Sequence, residues 1–121
     1  MNDVVAVTLP AQVDSVTSAA VEALIVAAVR PGGGVVVDGS GVTYMSAAGV
    51  RVFARALHRA AELQARIVFC RFAGPAADCL LVSGFSQLFD ITVSVEAAIE
   101  KLRSGAAAAS EDRLHRRGTA G

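Results

Sequence analysis

The sequence predicts an α/β fold: a mixed, mostly parallel sheet of about four strands packed against about four α-helices. Three observations carry this expectation. Short runs rich in β-branched residues alternate with longer amphipathic stretches, four times over 121 residues. The links between them are only a few residues long. Parallel neighbours joined by helical crossovers are the arrangement into which such an order folds. With 54% hydrophobic but only 5% aromatic residues, the core has to be built from Ala, Val, Leu and Ile. A chain of this length forms one domain and buries roughly two-thirds of its unfolded surface.

The first run, Val4–Leu9, is β-branched and stops at Pro10. Asp14-Ser15 and Thr17-Ser18 offer N-caps to a first helix, whose core stripe Val21, Leu24, Ile25 and Ala28 follows the i, i+3, i+4, i+7 spacing. Pro31-Gly32-Gly33-Gly34 ends that helix. These glycines precede a strand, whereas a phosphate cradle needs glycines that precede a helix, so they form a turn. Val35–Val37 is the second strand, closed by Asp38 and a short turn. A second helix then runs from about Ala47 to Leu63, with Val50, Phe53, Ala54, Leu57 and Ala61 as its apolar face and Arg51, Arg55, His58, Arg59 and Glu62 on the other. Ile67–Phe72 has strand length. Pro75 suits the first turn of a short third helix through about Val82, with Gly84 just past its end. Ile91–Val93 is a brief strand, and Ser94 caps a fourth helix that places Val95, Ala98, Ile99 and Leu102 on one face, with Gly105 as its stop. Residues 1–103 are thus expected to be the domain. Residues 104–121 lose the apolar periodicity and are expected to be a disordered tail.

Composition removes several function classes. Eleven basic and eleven acidic residues cancel, so no whole-molecule attraction to nucleic acid or anionic lipid is expected. Arg113, Arg116 and Arg117 in the tail are a small footprint and read as solubilising. Asp3 interrupts the only candidate leader. The most apolar stretch, Val21–Val29, contains Glu22 and is too short to span a bilayer, so membrane insertion is not expected and the location is read as cytoplasmic. Cys70 and Cys79 are too few for a disulfide framework and lack metal spacing. They read as two small buried hydrophobes; the alternative, a redox pair, requires Cα atoms within about 7 Å. The histidines are His58 and His115, Lys101 is the sole lysine, and there is neither a G-x-S-x-G elbow nor a phosphate loop. Asp38 and Asp14 as a general-base pair are outweighed by turn and cap roles. No catalytic residue, metal or cofactor is expected.

Residues 35–50, VVVDGSGVTYMSAAGV, concentrate what chemistry remains. A buried strand delivers a loop of small residues to a helix N-terminus, a place that favours anions through its unpaired N–H groups and dipole. The stretch Asp38–Val50 resembles the D-x-S-x-V-x-x-[IM]-D-S-[SA]-G-[LV] signature of STAS domains of the anti-sigma-factor-antagonist type. Leu9-Pro10-Ala11-Gln12-Val13-Asp14 with Thr17 and Ala19 is similar to that family's L-x-G-x-[LV]-D…T-A segment. Gly74-Pro75-Ala76 with Leu80–Phe89 is similar to its P-x-V-x-x-[LF]-[LF]-x-x-[ST]-G-L-x-x-[LIV]-F passage. All three segments fall in order within residues 4–103.

The resemblance implies a domain that acts by binding: in its dephosphorylated form it captures an anti-sigma factor, often a serine kinase of histidine-kinase-like ATPase fold, and a sigma factor is released. Partner contacts are then expected at Ser46, Ala47, Ala48, Gly49, Arg51 and Arg55, with Arg59 continuing the row; the alternative for that row is a solvated helix face. The sequence also departs from the pattern. The family's Asp falls on Ser46 and its phosphorylated Ser on Ala47, so standard phospho-switching is not expected. Ala11 stands where the family has glycine, and only three residues precede Val4, where the family has a first strand. Ser46 admits two readings, a phosphosite displaced by one position or, with more weight, an N-cap whose oxygen takes the N–H of Ala48 or Gly49 for about 1 kcal/mol. A transporter-associated role, as the STAS accessory subunit of a lipid or anion transporter ATPase, is the alternative function. The sequence leaves the oligomeric state open.

Overall fold

Val35, Val36 and Val37 are all fully buried, which a strand achieves only when both faces of its sheet are covered. The computed structural model describes residues 4–84 and 91–103. In chain order its elements are β1 (Val4–Thr8), β2 (Gln12–Val13), α1 (Ser18–Ala28), β3 (Gly34–Asp38), β4 (Tyr44–Met45), α2 (Ala47–Glu62), β5 (Arg66–Cys70), α3 (Gly74–Val82), β6 (Ile91–Thr92) and α4 (95–103). The main sheet has the order β1-β3-β5-β6 and each of its pairings is parallel. The expected α/β class, with four helices and a four-stranded sheet, is what forms.

The period of two along each strand sorts side chains into two layers. Val5, Val7, Val35, Val37, Ile67 and Phe69 face the layer of α1, α2 and α3. Val4, Val36, Val68 and Cys70 face α4, which contributes Ala98 and Leu102, with Val95 and Ile99 at its margin. The reading of the α4 face therefore holds, and so does its cap: the Ala97 N–H donates to Ser94 Oγ at 3.0 Å. Pro75 sits in the first turn of α3, and Gly84 closes it at φ 78°.

Two helix faces differ from the expectation. In α1, Val21, Ile25 and Ala28 are buried but Leu24 is 43% exposed. Glu22 of α1 pairs with Arg55 of α2, so α2 lies on one flank of α1. Leu24 projects from the opposite flank, where among the described residues no further helix covers the edge of the sheet. In α2 the buried residues are Gly49, Val52, Phe53, Ala56 and Ala60, whereas Ala54 and Ala61 are exposed and Val50 and Leu57 sit at the boundary. The small residues at 49, 56 and 60 let the helix approach the sheet closely. Close packing, more than side-chain hydrophobicity, selects this face.

Strand β5 ends two residues sooner than expected. Arg71 takes a left-handed φ of 65°, which turns Phe72 back over the site. Phe72 stacks edge-on against Phe53 with centroids 5.9 Å apart, while Phe53 and Phe69 are 4.7 Å apart. Gly39 leaves room for Phe72, because a Cβ there would clash with the edge of its ring and displace it. The aromatic passage at 85–90, the Gly105 stop and the expected tail 104–121 lie outside the described residues. Replacing Ile25, fully buried, with Ala is expected to cost about 2–5 kcal/mol in urea unfolding. The same change at Leu24 is expected to cost under about 1 kcal/mol.

Candidate functional site

Because the strands of the main sheet run parallel, their C-terminal ends gather at one end of the molecule, and the segments 9–17, 39–46, 71–73 and 93–94 leave from there. In open α/β sheets that end is where binding sites form. Segment 39–46 is expected from the sequence to be a short turn. Instead it is held by backbone pairing throughout. Asp38 Oδ1 accepts the Ser40 N–H at 2.9 Å, and the Val42 N–H donates to the Gly39 carbonyl at 3.0 Å. The carbonyl of Ala11 then accepts the Thr43 N–H at 2.7 Å, the Tyr44 N–H at 3.2 Å and the Thr43 hydroxyl at 3.1 Å. Strands β2 and β4 pair in parallel, Gln12 with Tyr44 and Val13 with Met45, and the Ser46 N–H donates to the Val13 carbonyl at 3.0 Å. The β-branched and aromatic run Val42-Thr43-Tyr44 was the signal for this ribbon.

The N-terminus of α2 is set on that ribbon. At Gly49 a Cβ would lie 2.7 Å from Val13 Cγ1 and 3.0 Å from the Val13 carbonyl, so only glycine lets the helix start this close. Ser46 occupies the N-cap position in extended conformation, but its side chain makes no cap hydrogen bond. Its Oγ is buried without a partner among the described residues, and the Gly49 N–H donates instead to the Ser46 carbonyl at 2.9 Å. The expected Ser46 side-chain cap is thus absent, because the tight first turn takes up that N–H through the backbone. In the folded state the same burial covers the hydroxyl that a displaced phosphosite requires. Ala47 is exposed, Ala48 is half-buried and Tyr44 is 50% exposed.

Of the arginine row on α2, two members are engaged within the chain. Arg55 Nε is 2.8 Å from Glu22 Oε1, and Arg59 Nη1 is 3.2 Å from Glu62 Oε1. Arg51, one turn after Ala47, is exposed and has no ion-pair partner among the described residues. Tyr44, Ala47 and Arg51 therefore form the free polar and apolar surface at this end of α2.

The two aspartates have structural work. Asp14 Oδ1 accepts the N–H groups of Val16 and Thr17 at 2.9 and 3.0 Å, while Thr17 Oγ1 accepts the Asp14 N–H at 3.0 Å, a reciprocal box ahead of α1. Asp38 Oδ2 lies 3.6 Å from Arg71 Nη1. Arg71, which sequence reasoning did not single out, thus ties the end of β5 to the end of β3. Cys70 and Cys79 are both free thiols, but Cys70 packs under α4 and Cys79 against the opposite layer. The sheet lies between them. Burial, reinforced by the Asp38 charge, pushes the Cys70 thiol up to about 11, and burial also raises Cys79. Among the described residues there is no cluster of metal-ligating side chains, and no helix is long and apolar enough to cross a membrane.

Residues 2–93 match the family profile described as "Mlab, STAS domain". A search of curated protein sequences gives no match. Among solved structures, an anti-sigma-factor antagonist (STAS) domain protein from Planctomyces limnophilus superposes with a TM-score of 0.72 at 15% identity, covering 81% of this chain and 89% of that one. An anti-sigma factor antagonist from Mycobacterium paratuberculosis gives 0.70 at 24% identity, covering 85% and 89%. The STAS domain of a SulP transporter from Vibrio cholerae gives 0.65 at 10% identity, covering 89% and 87%. At these identities the likenesses establish the fold.

Ser46→Ala is expected to leave stability unchanged or raise it by up to about 1 kcal/mol in urea unfolding, because a buried hydroxyl without a partner is lost; an ordinary N-cap would lose about 1 kcal/mol. Gly49→Ala is expected to cost about 1–3 kcal/mol, since overpacking against Val13 exceeds the gain in helix propensity. In thiol titration with a disulfide reagent near pH 8, Cys79 is expected to react slowly and Cys70 only after denaturant is added, because the thiolate is the reacting form.

Proposed function

The chain belongs to the STAS family, and from that premise we propose that it acts as an anti-sigma-factor antagonist: a non-enzymatic cytoplasmic protein that sequesters an anti-sigma factor of serine-kinase-like ATPase fold and so releases a sigma factor. The observation that carries this reading is the platform Tyr44-Ala47-Arg51, exposed at the start of α2 and fixed from below by the backbone bonds of Ala11 and Val13. A preordered surface spends little conformational entropy when a partner docks. Ser46, Ala48 and Gly49 set the shape of the platform from within. Arg51 supplies a cation for an acidic partner surface, and Arg55 adds to the local positive field while it holds Glu22. With Ala47 at the family's phosphoacceptor position, the contact is not switched by the usual modification.

A second reading, a STAS accessory subunit of a lipid or anion transporter ATPase, is supported by the likeness to the transporter STAS domain from Vibrio cholerae. An adjacent gene for an anti-sigma kinase favours the first reading; an adjacent permease and ATPase favour the second.

Affinity capture with mass spectrometry identifies the partner, and titration calorimetry then measures the contact. Arg51→Glu is expected to weaken binding at least tenfold, about 1.4 kcal/mol, and unchanged affinity would overturn the docking face. Arg51 is the cleaner position for this test, because a charge reversal at Arg55 also sets two carboxylates against each other across α1 and α2.

A further inference from the structure

We propose that the outer edge of β1 is a self-association surface, on which β1 of a second copy of this chain pairs antiparallel about a two-fold axis at Ala6. The argument begins with which backbone groups are free. The Leu9 N–H donates to the Asp38 carbonyl at 3.0 Å, and Thr8 is the residue in register with Asp38. In a parallel ladder this means that Val5, Val7 and Leu9 direct their N–H and C=O groups toward β3, while Val4, Ala6 and Thr8 direct theirs away from it. Among the described residues β1 pairs only with β3, so the outward groups have no ladder partner.

Open edges are ordinarily guarded by lysine, proline, a bulge or an inward charge. The β1 sequence VVAVT has none of these. Ala6 and Thr8 are exposed, and Val4 and Val5 are only half-buried.

A second copy fits this edge because the edge is self-complementary. The three outward residues are spaced evenly about Ala6. A two-fold axis there sets Ala6 against Ala6 and Val4 against Thr8 of the other copy, each a hydrogen-bonded pair that exchanges two N–H···O bonds. The methyl groups at the axis leave room for close approach, and Val4 with Thr8 makes a β-branched cross-strand pair. Neither β1 nor the chain as a whole carries a net charge to oppose the contact. The result is a continuous sheet through both molecules. α2 packs over β5, two strands away from this edge, so the pairing does not use the Tyr44-Ala47-Arg51 platforms. The proposal does not depend on what those platforms bind.

Sedimentation velocity from low micromolar to near-millimolar protein tests it. The mass is expected to rise with concentration from 12.4 kDa toward twice that value, and a mass constant at the monomer value across the range would overturn the proposal. Ala6→Lys places two ammonium groups face to face across the axis and is expected to abolish the rise while leaving the thermal midpoint unchanged at dilutions where the protein is monomeric, since position 6 is exposed in the monomer. A dimer that survives this substitution would sink the idea. Register is tested by oxidation in a Cys79→Ser background. Ala6→Cys places the paired Cα atoms about 5.5 Å apart, within disulfide range, and is expected to give a covalent dimer on a non-reducing gel. Thr8→Cys, far from its own copy in this register, is expected to stay monomeric. Equal cross-linking at the two positions would overturn the register.

Discussion

The burial of β3 on both faces is the constraint from which the rest of the molecule follows. Three consecutive valines with no exposure need cover above and below the sheet, and a parallel ladder supplies it by crossing back through helices. α1, α2 and α3 make one cover, and α4 makes the other with only a few side chains, chiefly Ala98 and Leu102. Each crossover also returns the chain to the same end of the sheet. Loops that have no sequence relation to one another therefore become neighbours, and the site is a consequence of how the strand core is covered.

At that end, precision comes from the backbone. The Ala11 carbonyl gathers three donors from Thr43 and Tyr44, and the Val13 carbonyl receives Ser46. Side chains contribute mainly by being small: Gly39 makes room for Phe72 and Gly49 makes room for Val13. Such an arrangement holds a surface still. Asp14 and Asp38, the carboxylates nearest to being candidates, are occupied in holding turns.

Most of the fold was legible in the sequence because its signals were local. Runs such as Val35–Val37 and Ile67–Cys70 declare themselves by composition, Pro75 and Gly84 mark a helix at both ends, and Ser94 caps as its type predicts. What was not legible depended on neighbours. Leu24 obeys the helical period yet stays 43% exposed, and Ala56 and Ala60 are buried for their smallness. The ribbon of Gln12–Val13 with Tyr44–Met45 is too short to show a period at all. In the candidate site, the motif names positions on the loop. The loss of the Ser46 cap and the tying of Arg55 to Glu22 could not be read from it, because each depends on a competing partner elsewhere in the fold.

A hydroxyl at the tip of a binding loop can be esterified and later cleaved, so it carries a record of earlier events; the methyl of Ala47 carries none. As far as that position goes, a molecule that docks there meets the same surface on a newly made copy and on an old one. Occupancy then follows the present amounts of the two molecules through mass action. Under the proposed function, such a platform responds to stoichiometry, with a threshold where one species outnumbers the other, and position 47 keeps no memory.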